Sequence, residues 1–222
     1  MKRRFLSDKV FGVIFTLGVI IVVGILSIVI GAFSGLVQKS IRRIFAFSAV
    51  MNAGFIVLGL LLKDLGTMYY FLITYAIGSS GALAAIAAFS GKGDAKENLD
   101  DIRGRGRRHP LEGVAAVICL ASLAGLPPLS GFLAKFVLFT GVVKTGYIAL
   151  AAFGFALSIV AMYYYLRIAI ALFAPAPADE SHPCCCCVSN STRFLLRFGV
   201  VVAALVLAAM AFVPVLLPVV KF

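Results

Sequence analysis

Residues 111–143 form a 33-residue apolar stretch whose only charged side chains are Glu112 and Lys135. As one straight helix, at about 1.5 Å per residue, it would reach roughly 50 Å, whereas the hydrocarbon core of a bilayer is about 30 Å thick. Two adjacent prolines, Pro127 and Pro128, stand in its middle. Each lacks a backbone donor, and its ring collides with the preceding turn, so the stretch cannot be an unbroken helix. The segment "GLPPLSG", residues 125–131, reads as an unwound link between two half-helices, built on Gly125, Pro127, Pro128 and Gly131. Such a link resolves the length mismatch and puts Lys135 near the middle of the bilayer.

The rest of the chain calls for the same solvent. Hydrophobic residues make up 62% of its 222 residues, against about 45–50% in a soluble domain. Five further apolar runs, at residues 10–36, 44–62, 68–89, 147–173 and 194–220, are long enough to cross a bilayer as helices. The expected architecture is a single all-α integral membrane domain over residues 1–222, with six transmembrane crossings and the fourth a proline-broken helix. The run at 10–36 exceeds the roughly 7–15 residues of a signal-peptide core and ends without a small-residue cleavage site, so it reads as a retained helix. A multi-pass protein of the cell inner membrane is expected.

The net charge of +11 sits mostly in the connections between these runs. A nucleic-acid partner is the other reading of a basic chain, but short basic stretches that punctuate membrane spans suit lipid headgroups and orientation instead. The first, third and fifth connections carry eleven Lys and Arg residues, against three on the opposite side at Lys63, Lys144 and Lys221. That asymmetry puts residues 38–43 and 90–109 in the cytoplasm. Four basic residues at the N-terminus, Lys2, Arg3, Arg4 and Lys9, run against it.

A lysine in hydrocarbon costs roughly 2.5–3.5 kcal/mol on insertion scales. Lys135 can meet that cost in two ways. It can snorkel, carrying its charge to an interface. Alternatively it can sit in a low-dielectric site that disfavours its charged form, which fits it to exchange protons. The second reading is favoured, because the nearest irregularity is the internal link and residues 137–143 continue apolar. The link would leave free backbone carbonyls and amides to hold water beside the amine. No carboxylate is placed to reach it: Asp64 and Glu112 mark helix ends, and the other acids lie in loops or near the N-terminus. A proton path needs a source and a modulating charge, so other polypeptides are expected to complete it. An uncompensated buried ammonium also predicts that Lys135→Met would raise stability.

Other features have plainer readings. Arg167 lies near the cytoplasmic end of its run, where snorkelling accounts for it, with Tyr163, Tyr164 and Tyr165 lining a wet interface or a helix contact. Gly78, Ser79, Ser80, Gly81 and Ala82 permit close helix packing. Cys119 reads as core. Cys184–Cys187 are successive, so their side chains diverge and make a poor tetrahedral zinc site; a reduced loop is the simpler reading. His109 and His182 have no partner at metal-ligand spacing. Phosphate-cradling glycines, nucleophile triads and iron–sulfur cysteine patterns are absent, so neither a cofactor nor a metal is expected in this chain.

"VQKSIRRIFAFSAVMNAGFIVLGL" (37–60), "YFLITYAIGSSGALAAIAAF" (70–89), "GRGRRHPLEGVAAVICLASLAGLPPLSGFLAKFVLF" (104–139) and "AMYYYLRIAIALF" resemble the subunit N family of bacterial NADH–quinone oxidoreductase, respiratory complex I. These are antiporter-like, proton-pumping membrane subunits. The resemblance implies that Lys135 matches the family's broken-helix lysine, which lies in a hydrated lateral axis and is assigned to proton transfer. It also implies other membrane subunits as partners, with NADH, quinone, flavin and iron–sulfur clusters handled there, and no redox site in this chain. Related chains serve in multi-subunit cation/proton antiporters and membrane-bound hydrogenases, and a non-conducting scaffold is a third alternative. Two departures stand out. Family members carry two inverted repeats and this chain resembles only the later part, as a split subunit, a truncated product or a fragment would. Asn52 stands where the family often has a histidine.

Overall fold

The computed structural model describes residues 2–62, 64–89, 98–175 and 190–212, which are helical apart from turns, links and one isolated β-bridge between Ser40 and Asn98. Three long helices come first: α1 (Lys2–Val37), α2 (Ile41–Gly59) and α3 (Leu65–Phe89). A 3₁₀ turn at Leu99–Ile102 and the one-turn α4 (Arg105–Arg108) lead into α5 (Pro110–Ala124), which starts on its proline. Next come α6 (Ser130–Lys144), α7 (Ile148–Phe173) and α8 (Asn190–Met210). Cys184–Cys187 and His182 lie outside the described residues.

Among the described residues, four helical stretches, Phe15–Val37, Ile41–Gly59, Leu65–Phe89 and Ile148–Phe173, are long and apolar enough to cross a membrane by themselves. The expectation of six is not confirmed by this count, for reasons that differ between the fourth and the last run. The prolines divide the segment around Lys135 into two 15-residue helices, each about 22 Å long; the last expected run, 194–220, lies partly outside the described residues.

Hydrogen bonds at the helix ends fix the order of the bundle. The Leu99 amide donates to the Lys39 carbonyl (3.2 Å), and the Gly104 amide donates to the Ala171 carbonyl (3.3 Å). The connections after α1 and α3 therefore meet the end of α7. Glu112, in the first turn of α5, pairs with Arg197 of α8 at 2.5 Å. At the far end, the Tyr70 hydroxyl donates to the Met210 carbonyl (3.0 Å), joining the start of α3 to the end of α8. The ends of α1, α3 and α7 and the starts of α2, α5 and α8 thus gather at one end of the bundle, and the start of α3 meets the end of α8 at the other.

Small residues set the closest crossings. A Cβ on Gly31 of α1 would lie 2.6 Å from the Met51 nitrogen of α2, and one on Gly81 of α3 would lie 2.8 Å from the Cys119 sulfur of α5. Cys119 is fully buried, as a core residue should be. The outward face of α1 carries Phe15, Val19, Val22, Leu26, Ile30 and Phe33, all exposed at helical spacing. In water such a stripe would be a liability; against lipid tails it is a solvent-facing surface.

Candidate functional site

The helix break lies at Gly125–Leu129. Gly125 takes a left-handed conformation (φ +82°) as the residue that ends α5, a position where a side chain would be strained. Its amide donates to the Ala121 and Ser122 carbonyls (3.1 and 3.0 Å), and the Leu126 amide donates to Ala121 (3.0 Å). A helix leaves its last four carbonyls without intrahelical donors. Backbone amides satisfy two of the four here, and Leu123 and Ala124 remain.

Lys135 supplies those two. Its Nζ donates to the Leu123 carbonyl at 2.8 Å and to the Ala124 carbonyl at 3.4 Å. The ammonium sits at the negative end of the α5 dipole, where positive charge is stabilised. The residue is 7% exposed, and among the described residues it makes no ion pair. Its burial is thus supported by a helix terminus instead of a carboxylate, which answers how an apolar segment tolerates it. The sequence suggested carbonyls left free to hold water; in the structure the lysine takes them itself.

The other half-helix is capped in return. The Gly131 amide, in the first turn of α6, donates to Ser122 Oγ of α5 (3.2 Å), and Ser130 Oγ lies 3.5 Å from the same oxygen. Gly131 was expected in the link, but Ser130 and Gly131 are already helical, so the link is shorter. The reason for glycine there is contact: a Cβ would overlap the Ser122 carbonyl. Pro127 and Pro128, joined by a cis bond, remain in the link with Leu126 and Leu129. Ser122 was not foreseen as part of the site. Nothing in its local sequence distinguishes it from a small packing residue, since its partner lies nine positions away across the break.

Lys135 also lines a small cleft, together with Ser122, Asn52, Thr74, Tyr75 and Phe71, among others. It brings α2, α3, α5 and α6 together. Asn52 donates from Nδ2 to the Ser48 carbonyl (2.8 Å), and Ser48 Oγ is hydrogen-bonded to the Tyr165 hydroxyl of α7. Tyr164 and Tyr165 are fully buried while Tyr163 is exposed, so two of the three tyrosines are core contacts. Arg167 is half-buried and donates to the Leu36 carbonyl (3.2 Å) and the Gln38 carbonyl (2.5 Å), tying α7 to the end of α1. No group of three or more His, Cys, Asp or Glu side chains suited to a metal occurs among the described residues.

Alternating apolar helices around a discontinuous one, with a buried lysine at the discontinuity, define a helical membrane protein of the antiporter-like kind. Residues 3–163 match the model of one family, and the chain belongs to it: the NADH:quinone oxidoreductase/Mrp antiporter transmembrane family. It is a multi-pass inner-membrane protein. NADH-quinone oxidoreductase subunit N of Moorella thermoacetica is 36% identical over 73% of this chain and 35% of its own length. The subunit N of Paramagnetospirillum magneticum is 32% identical over 90% of this chain and 43% of its own. Among solved structures, a chain of respiratory complex I from Thermus thermophilus with bound aureothin superposes with a TM-score of 0.76 at 29% identity. That superposition covers 90% of this chain and 44% of that one. A chain of the Mrp complex from Dietzia sp. shares the fold (TM-score 0.73, 23% identity, 92% of this chain and 46% of that one). The chain therefore spans less than half the length of these relatives.

Proposed function

We propose that this chain is a proton-translocating membrane subunit of an NADH–quinone oxidoreductase, with Lys135 as its proton-exchanging group. The observation that carries the reading is the ammonium of Lys135, buried at a small cleft and held by two half-helix carbonyls, with no carboxylate partner among the described residues. A neutral amine keeps two N–H donors, enough for both carbonyls, so the α5 cap survives loss of the third proton. The site can therefore change charge without dismantling the break. NADH oxidation and quinone reduction, with their flavin and iron–sulfur cofactors, fall to partner subunits, and so does the supply of protons and modulating charge. The names of the relatives favour this reading over a cation/proton antiporter or a hydrogenase subunit.

The chain is proposed to cross the membrane six times as a single domain over residues 1–222, the fourth crossing being α5 with α6. Residues 38–43 and 90–109 would face the cytoplasm. The bonds that gather the first and third connections at one end support this arrangement. Single-cysteine labelling at Asp100 checks it: reaction from the cytoplasmic side is expected, and periplasmic reaction would overturn the orientation.

Lys135→Met tests the function. Proton uptake by vesicles carrying the assembled complex should fall at least about tenfold, the scale of a lost proton-transfer group. Uptake at the wild-type rate would refute the role of Lys135.

A further inference from the structure

The Lys135 nitrogen is tetrahedral. Cε takes one direction, and the Leu123 and Ala124 carbonyls take two more. One direction remains, and it carries either the third N–H or, in the neutral amine, the lone pair. It is the only direction in which the amine can exchange a proton while keeping its cap on α5. Lys135 lines the cleft between α2, α3 and the break.

Thr74 of α3 lines the same cleft. It is 3% exposed, and its Oγ1 is buried with no hydrogen-bond partner among the described residues. A hydroxyl inside a helix ordinarily bonds back to the preceding turn, as Thr140 does to Phe136 (2.8 Å). Thr74 does not, and buried polar groups left unpaired cost about 1–3 kcal/mol. A buried hydroxyl of this kind, in a small, largely apolar cleft that Lys135, Asn52 and Ser122 also line, has the partners that hold one ordered water.

We propose that Thr74 fixes an ordered water at the fourth position of the Lys135 nitrogen and is thereby the positioning residue for proton exchange at that amine. The proposal rests on the reading of Lys135 given above. In the charged state Nζ donates to the water oxygen and the water donates to Thr74 Oγ1. Exchange breaks the Nζ–H bond and forms an O–H bond, so one proton and its charge pass to the water. As that proton moves on through the cleft, the lone pair left on nitrogen accepts a hydrogen bond from the same water. Thr74 itself gains and loses nothing; it sets where the water stands.

Thr74→Val keeps the shape and removes the hydroxyl. In vesicles carrying the assembled complex it should lower proton uptake about tenfold, within the range of a misplaced transfer partner. Thermal stability of the purified chain should be unchanged or higher, because an unpaired buried hydroxyl is gone. Thr74→Ser, which restores an oxygen, should recover most of the rate. A residue with only a packing role predicts the reverse: Val would pump normally and Ser would be the poorer substitute. Lys135→Met is measured beside them. If it abolishes uptake while Thr74→Val pumps within about twofold of wild type, Thr74 has no such role and the reading of Lys135 stands. If Lys135→Met also pumps normally, both fall together. Should Val prevent assembly, Thr74→Ala against Thr74→Ser decides: loss in Ala alone supports the water site, and equal rates overturn it.

Discussion

Two cations inside apolar helices, Lys135 of α6 and Arg167 of α7, make the same kind of contact at different places. Each donates twice to carbonyls at the C-terminal end of another helix, Lys135 to Leu123 and Ala124 of α5, Arg167 to Leu36 and Gln38 at the end of α1. In both cases a charge meets orphan acceptors at the negative pole of a helix. The contact explains why each cation is tolerated, and it does not separate their roles. Position and chemistry do. Arg167 caps a helix where the chain leaves for a short connection bearing Lys39, followed by Arg42 and Arg43 in the first turn of α2. Lys135 caps a helix that ends because of a break, at a small cleft that Asn52, Thr74 and Ser122 also line. A guanidinium never gives up its proton, while an ammonium can.

The comparison depends on the break keeping its form, and Gly131→Val should damage it most. The added Cβ meets the Ser122 carbonyl, which α5 cannot easily withdraw, so the cost should exceed about 3 kcal/mol. Little folded chain should be recovered from detergent extracts, and near-normal recovery would mean that the two half-helices do not approach this closely.

Lys135→Met comes next in stability. The sequence alone implied a gain from removing an uncompensated charge, but the charge is compensated: it caps two carbonyls, and Met leaves both unpaired. A loss of about 1–3 kcal/mol is expected in thermal or denaturant unfolding of the purified chain. A gain would mean that the cap contributes nothing.

Arg167→Met should cost less, roughly 1 kcal/mol. Arg167 is half-buried, and the freed carbonyls lie at the end of α1, beside a connection where water can reach them. Proton uptake should be unchanged. A fall comparable with that of Lys135→Met would erase the distinction between the two cations.

Which parts of this were legible beforehand follows from how far each signal extends along the chain. The break was readable because Pro127 and Pro128 act on their own backbone and on the turn before them. Lys135 was readable because a charge is conspicuous in 33 apolar residues. The partners of both were not. Ser122 capping α6, the Leu123 and Ala124 carbonyls holding the ammonium, and Glu112 meeting Arg197 are contacts across helices, and no local pattern encodes them. The tyrosine triplet shows the same limit. Helical geometry says that successive side chains point in different directions, but only packing decides that Tyr163 is exposed while Tyr164 and Tyr165 are buried. The count of crossings was blurred where the fourth segment splits into two short helices.

The most direct test exchanges the two chemistries. Lys135→Arg keeps a cation with donors for the Leu123 and Ala124 carbonyls, while fixing its charge. Arg167→Lys keeps a cation at the end of α1. Proton uptake is measured in vesicles carrying the assembled complex, with assembly checked in parallel. The account predicts that Lys135→Arg assembles and loses uptake by about tenfold or more, while Arg167→Lys pumps normally. Near-normal uptake with arginine at position 135 would show that a fixed charge suffices there, and would contradict proton exchange at Lys135.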